Sequence, residues 1–443
     1  MRNKLKGLVT VFSLLSLQAF AQEKKTLSLN EAIDLGIQNS KQLKVNQARI
    51  DEATAALKEE EEKKLPDAKV SGSYLRLNNA NFDLKSKGNN SGGGTSGGSP
   101  KINQAVYGLL NVSLPIYNGG RIRYGIESAR FLEQAAKLDA EDDKDEVIQN
   151  TIEAFANLFK AKTAVYLVKE NLEQSQQRAK DFANLEKNGL LARNDLLKAE
   201  LQSSNVELSL LDAQNNQQIA NFNMDLMLGL PTTTELVLDT TSIEKKDDNR
   251  VLADYLQTAV GSRKDMAAVD YRKKAAESGV KTAKSDLYPG IALTGGYIAA
   301  DIPNFLSVTN AVDIGIGISY NIGSLWKNKS KVQQAEARVK QLSLSESMLD
   351  DNIRLQVNKS YLGLLSNRKK IDVYSKAVEQ AQENYRIVKN KFDNSLATTT
   401  DLLDADVAQL QARLSYTLAR ADAFVAYHKL LQTAGILSAE LKK

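Results

Sequence analysis

The placement of proline restricts this chain more than any other feature. The 6 prolines are Pro66, Pro100, Pro115, Pro231, Pro289 and Pro303, so 116–230 and 304–443 contain none. Proline lacks a backbone donor and clashes with the preceding turn, so it ends helices, and stretches without it can carry long ones. Glycine is also scarce there. Only Gly125 and Gly189 fall between Arg121 and Leu228, and only Gly363 between Leu325 and Ala434. The remainder is rich in Ala, Leu, Lys, Gln and Glu, all strong helix formers. The pattern predicts helices over 121–187, 194–228, 325–394 and 400–434. At 1.5 Å per residue the first would extend roughly 100 Å, beyond the span of an ordinary domain.

Each pair of predicted helices meets at a short turn, and the two turns are alike. Asn188 to Leu201 reads NGLLARNDLLKAEL, and Asn394 to Asp406 reads NSLATTTDLLDAD. Asn188 matches Asn394, Leu190 matches Leu396, Asp195 matches Asp401, and Leu196 and Leu197 match Leu402 and Leu403, all at an offset of 206. In each copy a helix ends at a small, turn-forming residue, Gly189 or Ser395. A polar residue, Asn194 or Thr400, restarts the next helix, with an Asp just inside its positive end. The tips are 188–194 and 394–400, and two of them imply a duplicated chain with two long helical hairpins.

The rest of the chain repeats as well. A helix over 29–65 opens with Ser28 and Glu31 in a capping-box pattern and ends at Pro66. Strands follow at about 69–77 and 106–116. The intervening 78–103 contains KGNNSGGGTSGGS, which lacks Gly-Lys-Ser/Thr and reads as an exposed loop rather than a phosphate cradle. Val106, Gly108, Leu110, Val112, Leu114 and Ile116 alternate onto one face of the second strand. A linker spans 229–250, and a second helix follows over 251–286. Strands recur at 290–299 and 312–320, with Val312, Ile314, Ile316, Ile318 and Tyr320 on one face. Pro66 matches Pro289 and Tyr74 matches Tyr297 at an offset of 223, so the first copy is 17 residues longer between strand and tip. The Gly/Ser segment accounts for that insertion. The organisation is thus a leader at 1–21, a first repeat at 22–228, the linker, a second repeat at 251–435 closed by Gly435, and a tail at 436–443.

Composition excludes several function classes. The formal net charge is +4 and the charges are interspersed, which does not suit nucleic acid. With no Cys there is no disulfide, thiolate site, Cys nucleophile or lipidation at an N-terminal Cys. The single His, His428 in AYHKLL, reads as an ordinary surface or interface residue. No nucleophile–base pair, metal cluster or cofactor loop is visible, so neither catalysis nor a cofactor is expected. Arg2, Lys4 and Lys6 precede an apolar run, Leu8 to Leu17, and Ala19-Phe20-Ala21 supplies a cleavage pattern, so an exported chain starting at Gln22 is expected. No later stretch has the 18 apolar residues of a membrane helix, so a membrane crossing would have to be a β-barrel. The strands alternate as barrel strands do, but four cannot enclose a pore, and several chains would have to pool them. The alternative is a small soluble sheet packed on the helices.

The duplicated order of helix, strand, strand, long helix, tip and helix resembles the TolC family of outer membrane factors over essentially the whole mature chain. The junction LPIYNGGRIR (Leu114 to Arg123), its echo SYNIGSLWKNK (Ser319 to Lys329) and both tips carry the likeness. The resemblance implies a mainly helical chain with a small β part. Its duplicated long-helix hairpins would form a trimeric α-barrel, and its four strands would join a shared twelve-stranded transmembrane β-barrel. It implies a homotrimer in outer membrane lipid of a Gram-negative bacterium, with a large periplasmic portion. Partners would be a periplasmic adaptor and an inner-membrane pump, proton-driven or ATP-driven. The expected gate is an acidic ring of Asp401 and Asp404, with Asp195 as a partner in the first tip and Arg193 nearby. Adaptor docking would fall to Asn188, Gly189, Leu190 and Leu191 with Ser395, Leu396 and Ala397. This chain departs from the pattern where relatives latch the gate with an aromatic hydroxyl and an Arg. The matching positions are Phe392 and Ala397, which cannot make those bonds. The implied function is a passive exit duct of tripartite efflux. Type I protein secretion and a pore-free periplasmic helical scaffold remain as alternatives.

Overall fold

The computed structural model describes residues 24–80, 102–243, 250–303 and 306–441. The expected leader, most of the Gly/Ser segment and the last two residues lie outside them. The helices are α1 (Leu29–Asn39), α2 (Lys41–Glu62), α3 (Arg121–Lys187), α4 (Arg193–Leu228), α5 (Leu252–Ser262), α6 (Lys264–Ser285), α7 (Ser324–Asp393), α8 (Thr399–Thr433) and α9 (Leu437–Glu440). The strands are β1 (Lys24–Leu27), β2 (Asp67–Ala80), β3 (Ile102–Asn118), β4 (Glu235–Leu238), β5 (Gly290–Ile302) and β6 (Leu306–Ser319). The two Pro-free stretches hold helices of 67, 36, 70 and 35 residues. None of the described helices is long and apolar enough to cross a membrane.

Three expectations, for the two shorter helices, the linker and His428, need correction. The helix read over 29–65 is two helices of 11 and 22 residues, and so is the one read over 251–286. Both breaks, at Ser40 and Arg263, keep the 223-residue offset of the repeat. At the first, the Ser40 hydroxyl accepts the amide of Leu43 at 3.3 Å and so caps the incoming helix. At the second, Asp265 accepts from the Arg263 guanidinium at 2.9 Å and from the Met266 amide at 2.9 Å. The 229–250 segment, read as a linker, holds β4 and a short 3₁₀ turn at Thr241–Ile243. β4 pairs in parallel with β1, a strand of four residues that no alternation in the sequence marks. Asn221 holds this segment on α4 by donating to Thr234 O at 2.7 Å and accepting from Leu236 N at 3.1 Å. Finally, His428 is buried. Its Nδ1 sits 2.9 Å from Phe424 O, and its ring packs against Phe424 and Tyr427.

Contacts divide the chain into two units, each made of three or two stretches. The first contains residues 1–47, 138–266 and 348–443. Its main core joins Leu27, Ile152, Phe155, Met224, Leu236, Tyr255, Val357 and Leu430, all buried. Leu27 and Leu236 are the contribution of the β1–β4 pair and hold β4 against the helices. Ser28 supplies one half of the expected cap to α1, accepting from Glu31 N at 3.2 Å.

The second unit contains residues 48–137 and 267–347. Its sheet has the order β2-β3-β5-β6, antiparallel throughout, so β2 and β6 are its edges. The strands are longer than read from sequence, 13 to 17 residues. Register puts Val70, Leu110, Tyr297 and Val312 in one row, and Leu114, Leu293 and Ile316 in another on the same face. A bulge after Pro115 corrects the expected alternation. Tyr117, not Ile116, pairs with Ile291 and joins that face. The opposite face carries Lys69, Asn111, Ser113, Thr294 and Asp313. β6 exposes Val312 (77%), Ile314 (83%), Ile316 (70%) and Ile318 (73%).

Candidate functional site

Both tips lie in the first unit, and both are built the same way. After α3, Gly189 N donates to Glu186 O at 2.9 Å and Leu190 N to Leu185 O at 2.9 Å. After α7, Ser395 N donates to Phe392 O at 2.9 Å and Leu396 N to Lys391 O at 2.7 Å. This double bond pattern satisfies the last carbonyls of the helix and requires a left-handed residue after the cap. Gly189 (φ 72°) and Ser395 (φ 61°) fill that position. Asn188 and Asn394 each return a side-chain bond to the carbonyl four residues back, at 2.7 Å. The next residue in each tip, Leu190 or Leu396, projects with 73% and 76% exposure. Leu191 instead packs, half-buried, against a small core of Phe182, Leu196, Ala199 and Leu402.

The return helices start earlier than expected. The N-caps are Ala192 and Thr398, not Asn194 and Thr400. Thr398 forms a full capping box with Asp401, whose Oδ2 accepts from Thr398 N at 2.9 Å and from the Thr398 hydroxyl at 2.7 Å. Those two bonds hold the Asp401 carboxyl below its ordinary pKa. Ala192 has no side chain able to cap. Asp195, at the matching position, faces Lys198 at 3.5 Å, and Lys198 reaches across to the Thr400 hydroxyl at 3.2 Å. Arg193 pairs with Glu186 at 3.7 Å rather than with Asp195. Asp401 and Asp404 are both exposed, while Leu402, Leu403, Ala405 and Asp406 between and beside them are buried. Ala397 is half-buried.

The expected latch positions hold different chemistry. Phe392 stacks on Phe182, with centroids 5.3 Å apart and planes at 21°. A polar cluster lies deeper in the same hairpins, and sequence reading missed it. Asp406 Oδ2 accepts from Arg178 Nη1 at 3.0 Å and from Asn171 Nδ2 at 3.3 Å, and Arg178 Nη2 donates to Tyr385 Oη at 3.2 Å. Burial opposes the guanidinium charge, but the Asp406 bond and charge prevail and raise the Arg178 pKa. The cluster joins α3, α7 and α8. One signal could have found it: Asp406 lies four residues after Leu402, on the apolar face of α8, where an acid needs a partner. Below it, Arg413 holds Glu170 through two bonds of 3.1 and 3.0 Å. Among the described residues no group of His, Asp and Glu is placed to hold a metal.

Comparison with known proteins agrees with this geometry. The family model of the outer membrane efflux protein matches residues 32–230 and 255–435. The outer membrane efflux protein BepC of Brucella suis biovar 1 (strain 1330) is 19% identical over 349 residues, covering 78% of this chain and 75% of that protein. CusC superimposes with a TM-score of 0.77 at 17% identity over 92% of each chain. The outer membrane protein VceC of Vibrio cholerae gives 0.74 at 19% identity, covering 92% of this chain and 96% of that one. The CmeC outer membrane channel of Campylobacter jejuni gives 0.75 at 17% identity, covering 94% and 88%. With its duplicated hairpins, paired tips and four-stranded sheet, the chain belongs to the outer membrane efflux protein family and is a protein of the outer membrane.

Proposed function

We propose that this chain assembles as a homotrimer into the outer membrane channel of a tripartite efflux system. It would be a passive exit duct for small molecules, not an enzyme. The observation that carries the reading is the four-stranded sheet. β2 and β6 each pair on one side only among the described residues, and β6 exposes four large apolar side chains in a row. Free edges are not tolerated in hydrocarbon, and four strands are too few to close. Pooling three copies makes a closed barrel of twelve strands with its apolar face to lipid and its polar face inward.

The tips support the remaining roles. Leu190 and Leu396 are large apolar side chains held out by rigid turns, which suits contact with a periplasmic adaptor. The neighbouring docking residues would be Asn188, Gly189, Leu191, Ser395 and Ala397. Three copies would bring six carboxylates, Asp401 and Asp404, to one opening, where they would attract cations and oppose anions. Asp195 would act with them, although its Lys198 contact reduces its charge contribution. The driving force would come from an inner-membrane pump through the adaptor, and a signal peptide over 1–21 would deliver the chain.

The test is growth of a strain lacking the gene on a panel of dyes, detergents and antibiotics, with its secreted proteins profiled in parallel. Hypersensitivity that the gene rescues is the expected result. Normal resistance combined with a missing secreted protein would replace efflux by protein secretion. Mass measurement of the purified protein in lipid checks the trimer separately.

A further inference from the structure

The strand-to-helix junctions contain chemistry that an exit duct does not require. We propose that the two junctions together form a binding site for small organic oxyanions, phosphates or carboxylates, on the polar side of the sheet. The inference rests on the second unit alone and does not depend on the trimer or on efflux.

The sequence builds the site from both repeats. β3 ends at Asn118 and α3 starts at Arg121, with Gly119 (φ 63°) and Gly120 (φ 85°) between. A Cβ on Gly119 would lie 2.5 Å from Ser285 O, so the turn passes directly over the end of α6. In the second copy, Asn321 shapes the turn into α7. Its Oδ1 accepts Gly323 N at 3.1 Å and its carbonyl accepts the Ser324 hydroxyl at 2.7 Å. Asn328 then ties α7 to α6 by donating to Ala283 O at 2.8 Å. Both long helices therefore begin at one place, beside the end of α6.

A cleft of about 690 Å³ opens there, lined among others by Asn118, Arg121, Asp286, Ser319, Lys327 and Lys331. It holds three cationic side chains and one carboxylate. Asp286 is shared between Arg121, at 3.4 Å, and Lys331. Lys327 is exposed and makes no ion pair among the described residues. One acid cannot neutralise three cations, so the cleft has surplus positive charge, and the first turns of α3 and α7 add donors of the same sign. A fork from Arg121 with the ammonium of Lys327 suits an oxyanion. The volume is in the range of small-molecule sites and exceeds what an inorganic ion fills, which points to an organic body against Tyr288 and Tyr320.

Register decides which side the cleft faces. Asn118, Gly290 and Ser319 pair across three strands and share the face opposite Tyr117, Ile291 and Ile318. That is the face carrying Ser113 and Thr294, so the cleft opens to water and not to the apolar surface. A soluble anion is therefore the occupant, rather than a phospholipid headgroup.

The experiment uses the full-length protein in nanodiscs of zwitterionic lipid, titrated calorimetrically with phenyl phosphate at low ionic strength, with benzyl alcohol as the uncharged control. Saturable binding of phenyl phosphate alone is expected. Lys327→Gln, which touches no structural partner, should weaken it about tenfold, as loss of one charge-assisted bond implies. Asp286→Asn should tighten it, because the competing carboxylate is gone. Absence of saturable binding, equal binding of benzyl alcohol, or indifference to Lys327→Gln would overturn the proposal. Loss of binding when phosphatidylglycerol is added to the nanodiscs would reassign the site to lipid and overturn its soluble occupant. None of these outcomes bears on whether the protein is an efflux duct.

Discussion

Arg178 Nη1 donates to Asp406 Oδ2 at 3.0 Å, joining the two helical hairpins across 228 positions of sequence. Arg178 is 9% exposed and Asp406 1%. Asn171 and Tyr385 share the cluster, yet Asp406 Oδ1 has no hydrogen bond among the described residues. Such a pair gives little net stability over an apolar pair of the same shape, but breaking it strands a buried charge. Asp406→Ala should therefore cost about 3–5 kcal/mol, while Arg178→Met combined with Asp406→Leu should recover most of the loss. Denaturant midpoints of the two variants decide the matter, and a double variant no more stable than Asp406→Ala would refute the argument.

The tips differ at one backbone position. Ser395 adopts a left-handed conformation that Gly189 takes without strain. Ser395→Gly should stabilise the second turn by about 1 kcal/mol, and Gly189→Ala should cost a similar amount, since open space around Gly189 leaves only the backbone penalty. Hydrogen exchange of the amides of Leu190 and Leu396 reads both effects locally. Faster exchange at Leu396 in Ser395→Gly would contradict them.

Two acids, Asp225 fully buried and Asp142 half-buried, make stability depend on pH. Burial pushes Asp225 up to about 6 despite a bond from Asn221. Burial first, then the charge of Asp265, pushes Asp142 up to about 6. Each binds its proton more tightly in the folded state than in the unfolded one. Their stabilising contribution is therefore complete below the unfolded value near 4 and lost as pH rises through about 6. Asp225→Asn should stabilise the protein at pH 7 by on the order of 1–2 kcal/mol and flatten its stability between about pH 4 and 7. Melting temperature measured across that range checks the slope, and an unchanged slope would exclude Asp225 as its source.

Asp401 and Asp404 can be separated experimentally. Asp401 caps α8 through Thr398, so Asp401→Ala should cost about 1 kcal/mol in addition to removing charge. Asp404 is exposed without such a bond, so Asp404→Ala should change charge alone. Under the proposed duct, Asp404→Ala weakens the cation preference of the channel in a planar bilayer. An unchanged reversal potential would remove the acidic ring from the account.

The exposed tip leucines give a test in cells. Leu190→Glu with Leu396→Glu places charge where an apolar contact is proposed and disturbs no buried group. The double variant should reach the outer membrane as the same oligomer and fail to restore drug resistance. Full restoration would show that the tips are not the docking surface.

Much of this protein was determined by signals only a few residues long. The Pro-free stretches carry α3, α4, α7 and α8, because helix formation depends on local propensity and the absence of breakers. Gly189 and the alternation of Val312 to Ile318 are equally local, since backbone strain and strand periodicity are properties of neighbouring residues. Tertiary structure decided the rest. The helix break at Arg263 is held from a distant part of the chain, since its guanidinium donates to Thr433 O at 3.4 Å. β1 exists because β4 lies beside it, and β4 is ordered because Asn221 and the core around Leu236 hold it. DLLDAD shows three acids of one kind, but only the packing of α3 and α7 against α8 makes Asp406 a buried partner of Arg178 and leaves Asp401 and Asp404 in water. Pairings over some 200 residues depend on which faces meet, and no short-range preference encodes that.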